Sequence, residues 1–146
     1  MRLEAVKTRM IPPYVRRLER LIRECQASGI LPIFVTQPAL YGSGSDPVTG
    51  VDLESIRVGQ WNGKAAWAVL ELYNQALKDT GARNGLLVVD LARQLPKRSD
   101  FYYDLVHHTD AGNDEIARIV AGEIPGTLEE KFPRFRRASG GVDEDS

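Results

Sequence analysis

The chain contains few of the side chains that form disulfides or metal sites, since its 146 residues include one cysteine and two histidines. The single cysteine, Cys25, cannot form an internal disulfide. It lies in an apolar helical pattern, so we expect it to be a small buried hydrophobic side chain rather than a reactive thiol. The cysteine content therefore does not indicate a redox compartment.

The sequence also lacks a long apolar run and an excess of charge of one sign. No stretch approaches the roughly 18 apolar residues of a membrane span, and the first seven residues carry charges where a secretory signal needs an apolar run. We expect no membrane partner; the localisation stays open, because a longer parent chain could carry a signal upstream.

The charge pattern argues against a nucleic-acid partner. The 19 basic and 20 acidic residues give a formal net charge of −1. Basic residues cluster at only two places, which are typical of a solvated helix face and a solvated tail: Arg16 and Arg17, and Arg134, Arg136 and Arg137. No continuous phosphate-binding surface is expected from such a distribution.

Apolar periodicity divides the chain into helices and strands. Helices are predicted from Pro12 to a stop at Ser28, from about Asn62 to Gly81, and from Asp110 to Ile124, where Pro125 is expected to end the helix. Two β-rich apolar segments, 30–36 and 86–91, are typical of buried parallel strands. This order predicts an α/β fold with right-handed crossovers.

Two strands are too few to close a parallel sheet. We therefore expect this chain to be part of a larger α/β domain, or to be completed by self-association or by a complementing chain. Residues 1–125 are predicted to form the domain, and the polar residues 126–146 a disordered tail. The Gly-, Ser-, Asp- and Pro-rich segment 39–60 is either a substrate-contacting loop or a surface insertion.

The loop before the last helix carries the residues with the clearest chemical meaning. Asp104 stands three residues before His107, a spacing that lets a carboxylate hold Nδ1 of the imidazole while Nε2 accepts a proton. Thr109 or Asp110 is expected to cap the helix, and Gly112 to let its first turn pack closely. A surface loop or a structural histidine would also explain the pair. Its position after a buried strand favours function, because open α/β sheets bind ligands beyond the carboxyl ends of their strands.

The pattern Asp104-x-x-His107-x-Thr109-x-x-Gly112, with the helix that follows, resembles the last conserved block of the SGNH, or GDSL, hydrolases. The resemblance covers residues 12–124. It implies the C-terminal half of a flavodoxin-like, three-layer α/β/α domain with a parallel sheet. It also implies a serine esterase or lipase that cleaves a small-molecule carboxylic ester without a cofactor or metal. Asp104 and His107 match the catalytic Asp and His of the family, so His107 would be the general base and then acid, and Asp104 its orienting carboxylate.

Three other blocks of that family are absent from the sequence: the Gly-Asp-Ser nucleophile block and the blocks that supply a Gly and an Asn to the oxyanion hole. The tripeptide Gly44-Ser45-Asp46 has the wrong order and place. Without a nucleophile and oxyanion donors, the chain alone is expected to be inactive. The alternative is a non-catalytic truncated homologue or subunit that binds a carbohydrate or a protein.

Two further interpretations concern neighbouring residues. His107 and His108, with Asp104 and Asp110, are residue types that bind zinc, but adjacent histidines on an extended loop point in different directions. We expect no metal site, and we expect His108 to lie at a pocket rim or on the surface. Four aromatic residues could line an acyl or sugar pocket or simply pack in the fold: Trp61, Trp67, Tyr102 and Tyr103.

Overall fold

The computed structural model describes residues 3–135 and begins with a helical segment. An α-helical turn, Leu3–Ala5, leads into a π-helical stretch, Val6–Met10, and then into helix α1, Ile11–Ala27. The two prolines stand in the first turn of α1, where a missing N–H costs little. The helical conformation therefore begins before the predicted start at Pro12, because the stretch Val6–Met10 connects Leu3–Ala5 to α1. Ser28 ends α1 as expected, with Gly29 at φ 70° directly after it.

Two pairs of short strands form separate sheets. Strand β1, Phe34–Val35, pairs in parallel with β4, Val88–Val89, and β2, Arg57–Val58, pairs antiparallel with β3, Trp61–Asn62. The parallel strands lie inside the predicted segments but are shorter. On the β1 side, Pro32 has no N–H to extend the ladder. The hairpin β2–β3 lies at the end of the segment that was expected to be loop.

Two of the remaining helices were predicted: α2, Gly63–Arg83, and α4, Asp110–Lys131. Helix α3, Leu91–Gln94, was not predicted, and it begins at the last residue of the predicted strand 86–91. Two 3-10 turns lie at Ser99–Phe101 and Pro133–Phe135. The Asn62 side chain caps α2 by accepting a hydrogen bond from the Ala65 N–H, as predicted. Gly81 lies inside α2 rather than at its end. The helix passes close to β4 at this residue, since a Cβ there would lie 2.2 Å from Val88 Cγ2.

Helix α4 continues through Pro125 to Lys131, so the predicted end at Ile124 is wrong. Pro125 removes one backbone N–H, and this loss does not end the helix. Residues 126–131, which were assigned to the tail, are therefore helical. Residues 136–146 of the predicted tail lie outside the described part of the chain.

Apolar side chains cover both faces of the parallel strand pair. On one face, Val89 packs in a cluster with Ile119 of α4. On the other face, Phe34 packs with Ile22 of α1 and Leu77 of α2. Cys25 is partly rather than fully buried. The fold is mixed α/β, as predicted; residues 3–135 contain two small two-stranded sheets, one of them parallel, and no full three-layer sheet.

Polar side chains join the carboxyl ends of β1 and β4. Thr36 Oγ1 donates to Asp90 Oδ1 at 2.9 Å and accepts a hydrogen bond from the Ala92 N–H. The other Asp90 oxygen pairs with Lys78 Nζ at 2.7 Å. The loops that leave the two strands are thus held side by side at one end of the sheet.

The start of α4 lies against the segment that precedes the Asp–His loop. The Thr109 side chain caps the helix by accepting a hydrogen bond from the Gly112 N–H at 3.2 Å. A Cβ at position 112 would lie 2.2 Å from the Phe101 carbonyl oxygen. The expected roles of Thr109 and Gly112 are therefore confirmed.

We expect Gly112→Ala to destabilise the fold by about 1–3 kcal/mol, because the added methyl group overlaps a backbone oxygen. Gly122→Ala is the matched control in the same helix, since nothing lies within 4 Å of a Cβ at that position. It should stabilise the protein by about 0.5–1 kcal/mol through helix propensity. Urea denaturation measures both variants; equal effects would contradict the proposed close approach.

Candidate active site

The loop that carries Asp104 and His107 is closed by backbone hydrogen bonds. The Tyr103 N–H donates to the His107 carbonyl at 2.9 Å, and the Thr109 N–H donates to the Phe101 carbonyl at 3.1 Å. A β-bridge between Tyr102 and His108 lies between these two bonds. The loop from 103 to 107, here called the site loop, is therefore a short closed turn with a fixed base.

Within this turn, Asp104 binds both the backbone and the ring of His107. Asp104 Oδ1 accepts hydrogen bonds from the N–H groups of Val106 and His107, both at 2.8 Å. Asp104 Oδ2 lies 2.7 Å from His107 Nδ1. A proton on Nδ1 satisfies this contact and leaves the lone pair of the neutral imidazole on Nε2. The structure brings together the two predicted catalytic residues in the orientation that the spacing suggested.

The electrostatics of the pair follow from these contacts. The hydrogen bond with His107, followed by those from the Val106 and His107 backbone, lowers the pKa of Asp104 to about 2. The carboxylate therefore stays charged near neutral pH. The His107 side chain is 76 % exposed, so Nε2 is accessible to a group brought from outside the loop.

His108 lies in a different environment from its neighbour. Its ring packs on Tyr102, with ring centroids 4.8 Å apart, and its Nε2 is buried without a hydrogen-bond partner. Burial lowers the pKa of His108 and so favours the neutral ring. His108 is thus partly buried rather than a free surface residue. In the described part of the chain, no group of three or more His, Cys, Asp or Glu side chains is arranged to hold a metal ion.

The four aromatic candidates do not form one pocket. Trp61 and Trp67 pack against a small cluster of Ala39, Tyr41 and Ala66 that also contacts Leu105 and Val106 of the site loop. Tyr102 belongs to the cluster on the α4 face of the sheet, with its hydroxyl buried and unpartnered. Burial raises the pKa of that hydroxyl to about 12. Tyr103 is 74 % exposed and lies beside the Asp–His pair in sequence.

Segment 39–60, which was expected to be either a substrate-contacting loop or a surface insertion, is hydrogen-bonded to the site loop and to the turn that begins at Ser99. The Leu40 N–H donates to the Leu105 carbonyl at 2.9 Å. Asp46 is buried and accepts hydrogen bonds from Thr49 and Val48 within the segment and from the Ser99 N–H at 3.0 Å. Although burial raises the pKa of Asp46, these hydrogen bonds lower it overall. An aspartate just before a proline is a common turn signal and could have indicated this role.

Lys97 is a second residue whose contacts the sequence pattern does not indicate. Its ammonium lies 3.1 Å from the centroid of the Trp67 ring and donates a hydrogen bond to the Tyr41 carbonyl. Burial lowers the pKa of Lys97 to about 8. No local sequence pattern indicates these contacts, because the three residues come from different parts of the chain.

Comparison with known proteins gives no independent assignment: no protein-family model, curated protein or solved structure matches this chain. Among the described residues, no helix has the length and apolar composition needed to cross a membrane. The geometry of the Asp104–His107 pair is therefore the basis for a functional hypothesis.

We expect His107→Ala to raise the pKa of Asp104, because the largest cause of its depression is removed. Carboxyl-detected NMR titration measures this value, and Asp100, whose pKa is lowered mainly by Arg98, is the internal control. The ionised Asp104 carboxylate stabilises the loop fully above pH 3.8, the ordinary pKa of an aspartate. This stabilisation is lost as the pH falls towards the lowered pKa of about 2. An unchanged Asp104 titration in the variant would contradict the 2.7 Å contact.

Proposed function

We propose that this chain supplies the Asp–His half of an SGNH-type serine esterase active site, which hydrolyses a small-molecule carboxylic ester. The observation that carries the proposal is the Asp104–His107 pair, with one carboxylate oxygen 2.7 Å from Nδ1 and the other held by two backbone N–H groups. The motif resemblance described above supports the same assignment. In this proposal, the nucleophile and the oxyanion donors come from another segment, because the 146 residues contain none of the three blocks that supply them.

The pair would act as a general base and then as a general acid. His107 Nε2 takes the proton from the serine hydroxyl as its oxygen attacks the ester carbon, and then gives that proton to the leaving alkoxide. A water molecule then attacks the carbonyl carbon of the acyl-enzyme while His107 Nε2 accepts a proton from it. His107 returns this proton to the serine oxygen as the carboxylic acid is released. Asp104 holds the ring by Nδ1 and stabilises the imidazolium that forms in each step.

In this proposal, the segment that carries the nucleophile would add a strand to the open edge of the parallel strand pair. Strand β1 pairs with β4 on one side only among residues 3–135, and Val35 on β1 is 40 % exposed. An open edge of a parallel sheet favours addition of a further strand. In this proposal, the described fold is the C-terminal half of a flavodoxin-like α/β/α domain, completed by an N-terminal half in the same or another chain; self-association through the same edge is the competing arrangement.

We expect the purified 146-residue chain to show no turnover of short p-nitrophenyl esters above that of its His107→Ala variant. The reason is the absence of a nucleophile block, without which the base has no proton to remove. Release of p-nitrophenolate measures the rate. A rate clearly above the variant would overturn the assignment of the nucleophile to another segment.

We expect a fusion to an N-terminal half that carries the Gly-Asp-Ser, Gly and Asn blocks to hydrolyse these esters. In that fusion, His107→Ala should reduce kcat on the order of a million-fold, and Asp104→Asn on the order of ten-thousand-fold. His108→Ala should retain kcat within a few-fold while lowering the Tm, because its ring packs on Tyr102.

The variants at 107 and 108 separate catalysis from folding. Tolerance of His107→Ala together with loss of activity in His108→Ala would show that the loop register is wrong. A folded fusion that binds a carbohydrate or protein but never turns over an ester would favour the non-catalytic alternative.

A further inference from the structure

A cavity of about 290 Å³ lies near the carboxyl end of the parallel strand pair. Ser43, from the loop that follows β1, lines one side of it, and Trp67 of α2 lines another. Arg93 of α3 and Lys97, just beyond α3, complete the polar lining. Parallel sheets place ligands beyond this end of their strands, so the cavity has the position of a binding site.

The Lys97 ammonium is the central charge of this cavity. It lies over the Trp67 ring at 3.1 Å from the centroid and donates one hydrogen bond to the Tyr41 carbonyl. The ammonium has three N–H groups, so these contacts leave donor capacity unused. Gly42 allows the arrangement, because a Cβ there would lie 2.8 Å from Lys97 Nζ and 2.7 Å from Trp67 Cγ.

The charge of Lys97 is not neutralised by a salt bridge within residues 3–135. Glu71, the acidic residue that attracts Lys97, is instead bound by Arg93 Nη2 at 2.6 Å. The two cations and one carboxylate leave a net positive charge at the cavity. A partly buried ammonium without a counter-ion is costly, and an anion in the cavity would relieve that cost.

We propose that Lys97, Trp67 and Arg93 form a binding site for an oxyanion, either a small free anion or the carboxylate, sulfate or phosphate group of a larger molecule. The oxyanion accepts hydrogen bonds from Lys97 Nζ and from the guanidinium N–H groups of Arg93 that Glu71 does not occupy. The site needs neither a nucleophile nor His107, so it stands independently of the proposed esterase function.

The test uses the full chain with Trp61→Phe, which leaves Trp67 as the only indole because the sequence has two tryptophans. Sodium sulfate is titrated at constant ionic strength against sodium chloride, and Trp67 fluorescence is recorded. We expect a saturable change, because an oxyanion alters the contact between the ammonium and the ring. Phosphate and acetate titrations show whether a phosphate-type or a carboxylate-type group is preferred, and saturation by any of the three supports the site.

Lys97→Met in the same background should weaken sulfate binding at least about tenfold, or 1.4 kcal/mol. Lys97→Arg should retain binding, and Lys64→Met is the matched control because Lys64 pairs with Glu54 on the surface. Sulfate keeps its charge from pH 6 upward, so wild-type affinity should fall as the pH rises through about 8, where Lys97 loses its proton.

Three results would overturn the proposal: no saturable response to any of the oxyanions, an equal response in a folded Lys97→Met chain, or an affinity for sulfate that does not change across pH 8. Should Lys97→Met fail to fold by circular dichroism, the Lys97→Arg variant and the pH series decide the question.

Discussion

The arrangement of the candidate site depends on the parallel pairing of β1 and β4 and on the polar link at their carboxyl ends. Thr36 and Asp90, which follow the two strands, are joined by a hydrogen bond of 2.9 Å, and Lys78 of α2 neutralises Asp90. The carboxyl ends of parallel strands lie at the same end of the sheet, so this link fixes the starting points of the two loops that follow β1 and β4. The first continues to Leu40, which bonds the site loop, and the second to Lys97, which bonds the first loop at Tyr41.

The Asp104–His107 pair, by contrast, is held mainly by local contacts. Three of its bonds arise within four consecutive residues, and the turn is closed by one further backbone bond. Such a turn keeps its internal geometry while its tip, with the imidazole of His107, is exposed. Tertiary structure contributes the base of the turn, where Gly112 lets α4 approach Phe101. These three hydrogen bonds fix the position of the Asp104 carboxylate, and the carboxylate in turn holds the imidazole at Nδ1.

The two histidines illustrate how position in a turn separates two neighbouring side chains. His107 projects from the tip and is 76 % exposed, whereas the His108 ring lies against Tyr102 at the base, with a buried Nε2. Burial favours the neutral form of the His108 imidazole. The neutral ring packs on Tyr102 and thereby supports the base of the loop. Two of the aromatic residues also lie in different environments. Trp67 lines a cavity with Lys97, whereas Tyr102 packs in the buried cluster below the site loop.

The sequence by itself determined the order of α1, β1, α2, β4 and α4, the Asn62 cap and the Asp104–His107 contact, and it restricted the α4 cap to Thr109 or Asp110, because each depends on spacing within a few residues. It did not indicate the hairpin β2–β3 or helix α3. It did not determine the end of α4, since Pro125 alone would stop an isolated helix, nor the folding of segment 39–60 around Asp46. It also gave no indication of Lys97, whose partners Tyr41 and Trp67 are far away along the chain. Only tertiary structure decided these features, because burial and hydrogen bonding between distant segments follow from how the strand pair and helices pack, not from local periodicity.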